Sequence, residues 1–106
     1  MLEVAVDSEE IYSIEEIKKR LGPVFRARHV KKAILFGSYA QNRADGKSDV
    51  DILVDSGLRG LRFFGLVADV QSALEKGVDV IDIYYLKKDS HADEEIARTG
   101  VTIYEG

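Results

Sequence analysis

Cysteine is missing from all 106 residues. That excludes a disulfide framework and any chemistry that needs a thiolate. No stretch approaches the ~18 consecutive apolar residues of a membrane span. The opening Met1, Leu2, Glu3 and Val4 lack the basic start and apolar run of a signal peptide. These absences together predict a cytoplasmic chain that does not engage a membrane. Histidine occurs only at His29 and His91, isolated positions that read as surface or capping residues rather than ligands. Internal repeats and low-complexity segments are absent, and a second domain does not fit. The 106 residues read as one domain covering 1–106. Folding should bury roughly two-thirds of its extended surface. With 45% hydrophobic and 32% charged residues, the chain is globular rather than disordered.

One absence is local. Residues 17–44 contain no acid but hold Lys18, Lys19, Arg20, Arg26, Arg28, Lys31, Lys32 and Arg43. All nineteen acids lie elsewhere, and the net charge is −4. The stretch reads either as a solvated helix face or as a patch for phosphate, RNA or an acidic partner. Charge alone does not choose.

Ser13-Ile14-Glu15-Glu16 fits a capping box, and Ile14, Ile17, Leu21, Val24 and Phe25 recur at helical spacing. Pro23, the only proline, predicts a main helix from Ser13 to Leu21 with an extension to Arg28. Val30 to Phe36 and Asp49 to Asp55 read as strands, separated by a polar loop with an Asp45-Gly46 turn. A helix from Leu61 to about Lys76 follows, with Phe63, Phe64, Leu66 and Val67 placed mainly in the core. Val78 to Leu86 reads as a third strand on which Tyr84 and Tyr85 alternate, one inside and one outside. A short helix from Asp93 to Arg98 and a strand from Val101 to Tyr104 end the order. The helix between the second and third strands permits a parallel pair, whereas the short loop before the second permits an antiparallel one. The expected fold is α/β or α+β, a small mixed sheet with helices mainly on one face.

Chemistry concentrates in Leu35-Phe36-Gly37-Ser38-Tyr39-Ala40 and Ser48-Asp49-Val50-Asp51-Ile52-Leu53-Val54. Asp49 and Asp51 are two apart on a strand, so their carboxylates share a face, roughly 6–7 Å apart at the backbone. Like charges so placed are best held by bridging cations. Hard oxygen ligands at this spacing suit Mg²⁺, which takes one or two carboxylates plus substrate phosphates. Gly37 lets a ligand approach the backbone. Free N–H groups of a helix starting at Ser38, with its hydroxyl, can hold a phosphate. Paired carboxylates and a phosphate cradle are the equipment of nucleotidyl transfer through two metals. Asp79 and Asp82 both offer a third acid, but they are three apart and face opposite sides. Parity alone does not select one.

Two look-alikes fail. Gly46-Lys47-Ser48 imitates the end of a P-loop, but position 41 is Gln41 and a strand follows instead of a helix. Asp49-Val50-Asp51 imitates the start of an EF-hand, but the next ligand position is Leu53.

At these residues the chain resembles the minimal nucleotidyltransferase (MNT) family, a branch of the DNA polymerase β-like superfamily. Its mark is Gly-Ser, a spacer, then Asp-x-Asp. Here Gly37-Ser38, ten residues and Asp49-Val50-Asp51 stand in order, with a later Val78-Asp79-Val80. The resemblance covers nearly the whole chain and implies a polymerase β-like palm. It implies that Gly37 and Ser38 grip the outer phosphates of an NTP, with ATP as the expected substrate. It assigns Asp49, Asp51 and Asp79 to two Mg²⁺ ions. It also favours Asp79 to position or deprotonate the attacking hydroxyl, with Asp82 as the fallback. Many relatives continue Gly-Ser-x-Ala with Arg-Gly; here Gln41-Asn42-Arg43 follows, so Arg43 fills that place from a shifted position or not at all.

Family members of this size often stand beside a small helical HEPN-family protein as antitoxin and toxin. The antitoxin can adenylylate a tyrosine of that partner, a ribonuclease. The resemblance therefore implies transfer of AMP to a hydroxyl brought by a partner. The short chain has little left over to recognise an acceptor by itself. A non-catalytic antitoxin that neutralises by binding, and a nucleotidyltransferase acting on RNA or a small molecule, are the competing expectations.

Overall fold

The computed structural model describes residues 10–106. The Met1–Val4 reading lies outside them. Helix α1 spans Ile14–Ala27, strand β1 Lys32–Phe36, a single turn α2 Gly37–Ala40, β2 Val50–Asp55, α3 Leu61–Leu74, β3 Val78–Asp82, α4 His91–Thr99 and β4 Val101–Glu105. A 3₁₀ turn at Ile83–Tyr85 follows β3. The four strands lie in the order β3-β2-β1-β4. β1 is antiparallel to β2 and β4, while β2 and β3 are parallel. Loop length and the intervening helix dictate those two senses, as the sequence predicts.

Ala33, Leu35, Val50, Ile52 and Val54 share one parity, and all are buried. They form one core with Ile17, Leu21 and Phe25 of α1 and Leu66, Val70 and Leu74 of α3. Tyr12 joins this core and donates its hydroxyl hydrogen to the Leu74 carbonyl at 2.6 Å. The two long helices thus cover one face. On the other, α4 lies against β1 and α2. Gly100 fits there because a side chain would strike the Ile96 carbonyl and the Ile34 side chain. Among the described residues no helix is long and apolar enough to cross a membrane.

Four expectations need correction. Pro23 neither ends nor splits α1, which is capped by Ser13 through a bond from the Glu16 N–H at 3.1 Å. A helix proline costs about 3 kcal/mol. Beyond it, Phe25 is fully buried and packs on Tyr104 at 5.4 Å, and Val24 packs against the core. Burial of each such side chain returns about 1.5–3 kcal/mol, enough to carry the helix through. The third strand stops at Asp82 because its own carboxylate accepts the Tyr84 N–H at 2.9 Å, which closes a turn. Strand alternation is therefore lost, and Tyr84 and Tyr85 are both exposed. The third helix ends at Leu74, where Glu75 takes a left-handed conformation, two residues before Gly77. Phe64 is exposed on that helix, while Phe63 and Leu66 pack inward as expected.

Candidate active site

The fold brings Asp49, Asp51 and Asp79 to one end of the sheet. Asp51 lies in β2 directly beside Asp79 of the parallel strand β3. Neighbouring residues in such a pair project to the same face, with strands about 4.8 Å apart. Asp49 immediately precedes β2. Two glycines make room for the carboxylates. A Cβ at Gly37 would strike the Asp51 carboxylate, and one at Gly77 would strike that of Asp49. Gly37 also holds φ at +72°, where side chains are strained. Its place between β1 and α2 therefore requires glycine twice over.

Ser38 follows in the turn α2, half-buried. That turn is closed by bonds from the Gln41 N–H to the Gly37 carbonyl and from the Arg43 N–H to the Ser38 carbonyl, at 3.2 and 2.8 Å. Arg43 enters this frame through its backbone, and its side chain is exposed. The spacer to Asp49 is an ordered loop. Asp45 accepts the Lys47 N–H at 2.8 Å, and the Asp45 N–H donates to the Ser48 hydroxyl at 2.9 Å. Buried Lys76 donates to the Gly46 carbonyl at 3.2 Å, fastening the loop to the corner before β3.

Crowding shows in the electrostatics. The Asp51 carboxyl is pushed up from its ordinary 3.8 to about 6. Burial is the first cause, followed by the charges of Asp79, Asp49 and Glu95. Among the described residues no Lys, Arg or His forms an ion pair with Asp49, Asp51 or Asp79.

Asp82 stands apart. It is 2% exposed, accepts from the hydroxyl and backbone N–H of Ser56, and lies 3.6 Å from Arg59. The structure does not bring it to the other acids. The charge of Glu95 in α4 also bears on Asp51, although sequence reasoning passes it over. Next to Glu94 in an amphipathic helix it looks like a solvent-facing acid, and no spacing signal separates the two. Gly77 reads in the sequence only as a helix terminator; its closeness to Asp49 emerges from the β3 register.

Three of the eight basic residues of the acid-free stretch form ion pairs with acids of this chain. Arg20 pairs with Glu16 and Arg28 with Asp69, both at 2.8 Å, and Lys18 lies 3.6 Å from Glu15. Arg20 also covers the Tyr12 ring at 4.5 Å.

Residues 15–106 match the family described as polymerase β, nucleotidyltransferase. The chain belongs to that family. It is 38% identical, over 90 residues, to a candidate protein adenylyltransferase of Methanocaldococcus jannaschii. That match covers 79% of this chain and 96% of the relative. Among solved structures, a toxin–antitoxin with AMP-PNP superposes with a TM-score of 0.72 at 22% identity, covering 84% of this chain and 73% of the other. A Shewanella oneidensis complex of a tri-AMPylated HEPN toxin with its MNT antitoxin gives a TM-score of 0.67 at 20% identity, covering 88% and 73%. At that identity the likeness establishes the fold.

Proposed function

We propose that this nucleotidyltransferase moves AMP from ATP to a hydroxyl acceptor, a tyrosine of a HEPN-family toxin, and thereby acts as an antitoxin. The observation that carries the reading is Asp51 in register with Asp79, with Asp49 beside them and Gly37 shaped around the Asp51 carboxylate. The relative named for protein adenylylation and the AMPylated toxin complex support the acceptor class.

The donor set fits Mg²⁺. It consists of hard oxygens that pair with no Lys, Arg or His among the described residues, and one of them, Asp51, is raised in pKa first by burial and then by the charges of its neighbours. Among the described residues no three His, Cys, Asp or Glu side chains are already drawn into a cage. Mg²⁺ tolerates that, because it keeps waters and takes substrate phosphates. Asp49, Asp51 and Asp79 would hold it, and the ion would supply charge stabilisation for the phosphates.

The chain's own residues do the rest. Backbone N–H groups at Gly37 and Ser38, with the Ser38 hydroxyl, hold the outer phosphates. Asp79 orients the acceptor hydroxyl and takes its proton. The hydroxyl oxygen bonds to the α-phosphorus, the bond to the bridging oxygen breaks, and pyrophosphate leaves.

The test is incubation of the chain with labelled ATP, Mg²⁺ and its HEPN partner. Label is expected on a partner tyrosine and is lost in Asp49→Ala and Asp51→Ala. If those variants neutralise the toxin as well as the wild type and no label transfers, the protein works by binding alone. Label on RNA instead would move the acceptor to nucleic acid.

A further inference from the structure

Helix α4 carries Glu95, an acid that the proposed mechanism does not use. Its side chain is 19% exposed, low for a glutamate on a surface helix. His91, an imidazole 93% exposed, lies 3.9 Å from the Glu95 carboxylate. Its hydrogen-bond partner is the Gln41 amide, which donates to the Glu95 carboxylate at 3.3 Å. Gln41 is the C-terminal cap of α2, and its backbone N–H closes that turn on the Gly37 carbonyl. A turn of four residues has little stiffness of its own, so whatever fixes Gln41 fixes Gly37 and Ser38. α4 is itself held, with Ser90 accepting the Asp93 N–H at 3.2 Å and Gly100 packed on Ile34.

The cost of the arrangement is visible. A carboxylate only 19% exposed is kept against the turn that leads from β1 beside the acidic end of the sheet. Placing like charge beside an acidic cluster destabilises the fold, so this position works against stability. A glutamine at position 95 could accept from Gln41 without that charge.

We propose that Glu95 is a positioning residue that, through Gln41, sets the Gly37–Ser38 cradle for the triphosphate of the nucleotide. The inference rests on the reading that this cradle holds phosphates. It predicts a role in nucleotide binding rather than in the chemical step. Glu95 never touches the nucleotide; it presents the turn that holds the outer phosphates.

The test compares Glu95→Ala, Gln41→Ala, their combination and Glu95→Gln. Readouts are KM for ATP, kcat for AMP transfer, and calorimetric titration with a non-hydrolysable ATP analogue and Mg²⁺. Glu95→Ala and Gln41→Ala should each raise KM and the analogue Kd about tenfold, with kcat within about threefold. The double variant should be no worse than either single one, because both remove the same link. Glu95→Gln should restore most of the affinity. Thermal melts check that each variant is folded, and Glu95→Gln remains informative if Glu95→Ala is not. Unchanged analogue binding in Glu95→Ala, additive losses in the double variant, or Glu95→Gln as weak as Glu95→Ala would each overturn the proposal. If the wild type itself binds no analogue, the cradle reading falls with it. If the wild type binds and the variants do too, only the positioning role falls.

Discussion

β3 carries two aspartates three residues apart, and the molecule treats them in opposite ways. Asp79 is exposed, sits beside Asp51 in the next strand, and forms no ion pair among the described residues. Asp82 is buried and accepts from Ser56 and Tyr84, with Arg59 alongside. The same side chain on the same strand is a structural pin at one end and, at the other, an exposed acid with no ion-pair partner among the described residues. Strand parity sorts them, because an odd spacing sends them to opposite faces. The lesson is that charge left uncompensated marks the working end of the sheet. Charge that is fully bonded marks the end that holds the fold.

Exchanging the two acids for neutral residues gives the largest effects. Asp79→Asn should lower AMP transfer about 10²–10⁴-fold while its melting temperature stays within about 2 °C. Asp82→Ala should cost about 2–4 kcal/mol, because it strands the buried donors of Ser56 and frees the Tyr84 N–H that closes the turn, and should lower the melting temperature by roughly 10 °C or more. Its activity per folded molecule should remain. Transfer assays and calorimetric melts on both variants check this. The contrast breaks if Asp82→Ala abolishes transfer without destabilising, or if Asp79→Asn unfolds the chain.

Asp51 gives the next effect, and its sign is unusual. The folded protein holds a proton on Asp51 up to about pH 6, whereas the unfolded chain releases it near 3.8. Between those values the folded state binds more protons, so stability falls as pH rises through the window. Above it the full penalty applies, about 1–3 kcal/mol once solvent screening is allowed for. In the absence of divalent cations, Asp51→Asn should therefore be more stable than wild type at pH 7.5 and no more stable at pH 3.5. Added Mg²⁺ should raise the melting temperature of the wild type and leave Asp51→Asn nearly unmoved. Denaturation curves at the two pH values read the sign directly.

How much of this was legible beforehand follows from where each signal resides. Gly37, Ser38, Asp49 and Asp51 form a local pattern across one loop, so spacing and alternation suffice to group them. The sheet was readable through loop lengths, and the core through its two periodicities. The family resemblance favours Asp79, but the residues by themselves tie it to Asp51 only through the register of a parallel pair, which depends on α3 and its packing. Sequence parity left Asp82 equally available until burial separated them. Pro23 misled because local propensity was outweighed by Phe25, whose partner Tyr104 lies at the far end of the chain. Tyr84 and Tyr85 misled because a side chain bonding its own backbone ended the strand early. Glu95 carried no local signal; its meaning comes from Gln41, 54 positions away.

The smallest expected effect tests whether the Asp82 end is satisfied by its hydrogen bonds or by its arginine. Arg59 lies 3.6 Å from Asp82 and stacks over the Tyr84 ring at 3.8 Å, but is itself 40% exposed. An exposed partner contributes little through charge, and the stack adds roughly 0.5–1 kcal/mol. Arg59→Ala should therefore lower stability by about 1 kcal/mol or less, and high salt should hardly change the difference. The Ser56 and Tyr84 donors would then carry Asp82, and Ser56→Ala should cost more than Arg59→Ala. If Arg59→Ala proves the more damaging of the two, Asp82 depends on its counter-charge. The two ends of β3 would then differ in having a cation supplied by the protein at one and required from solution at the other.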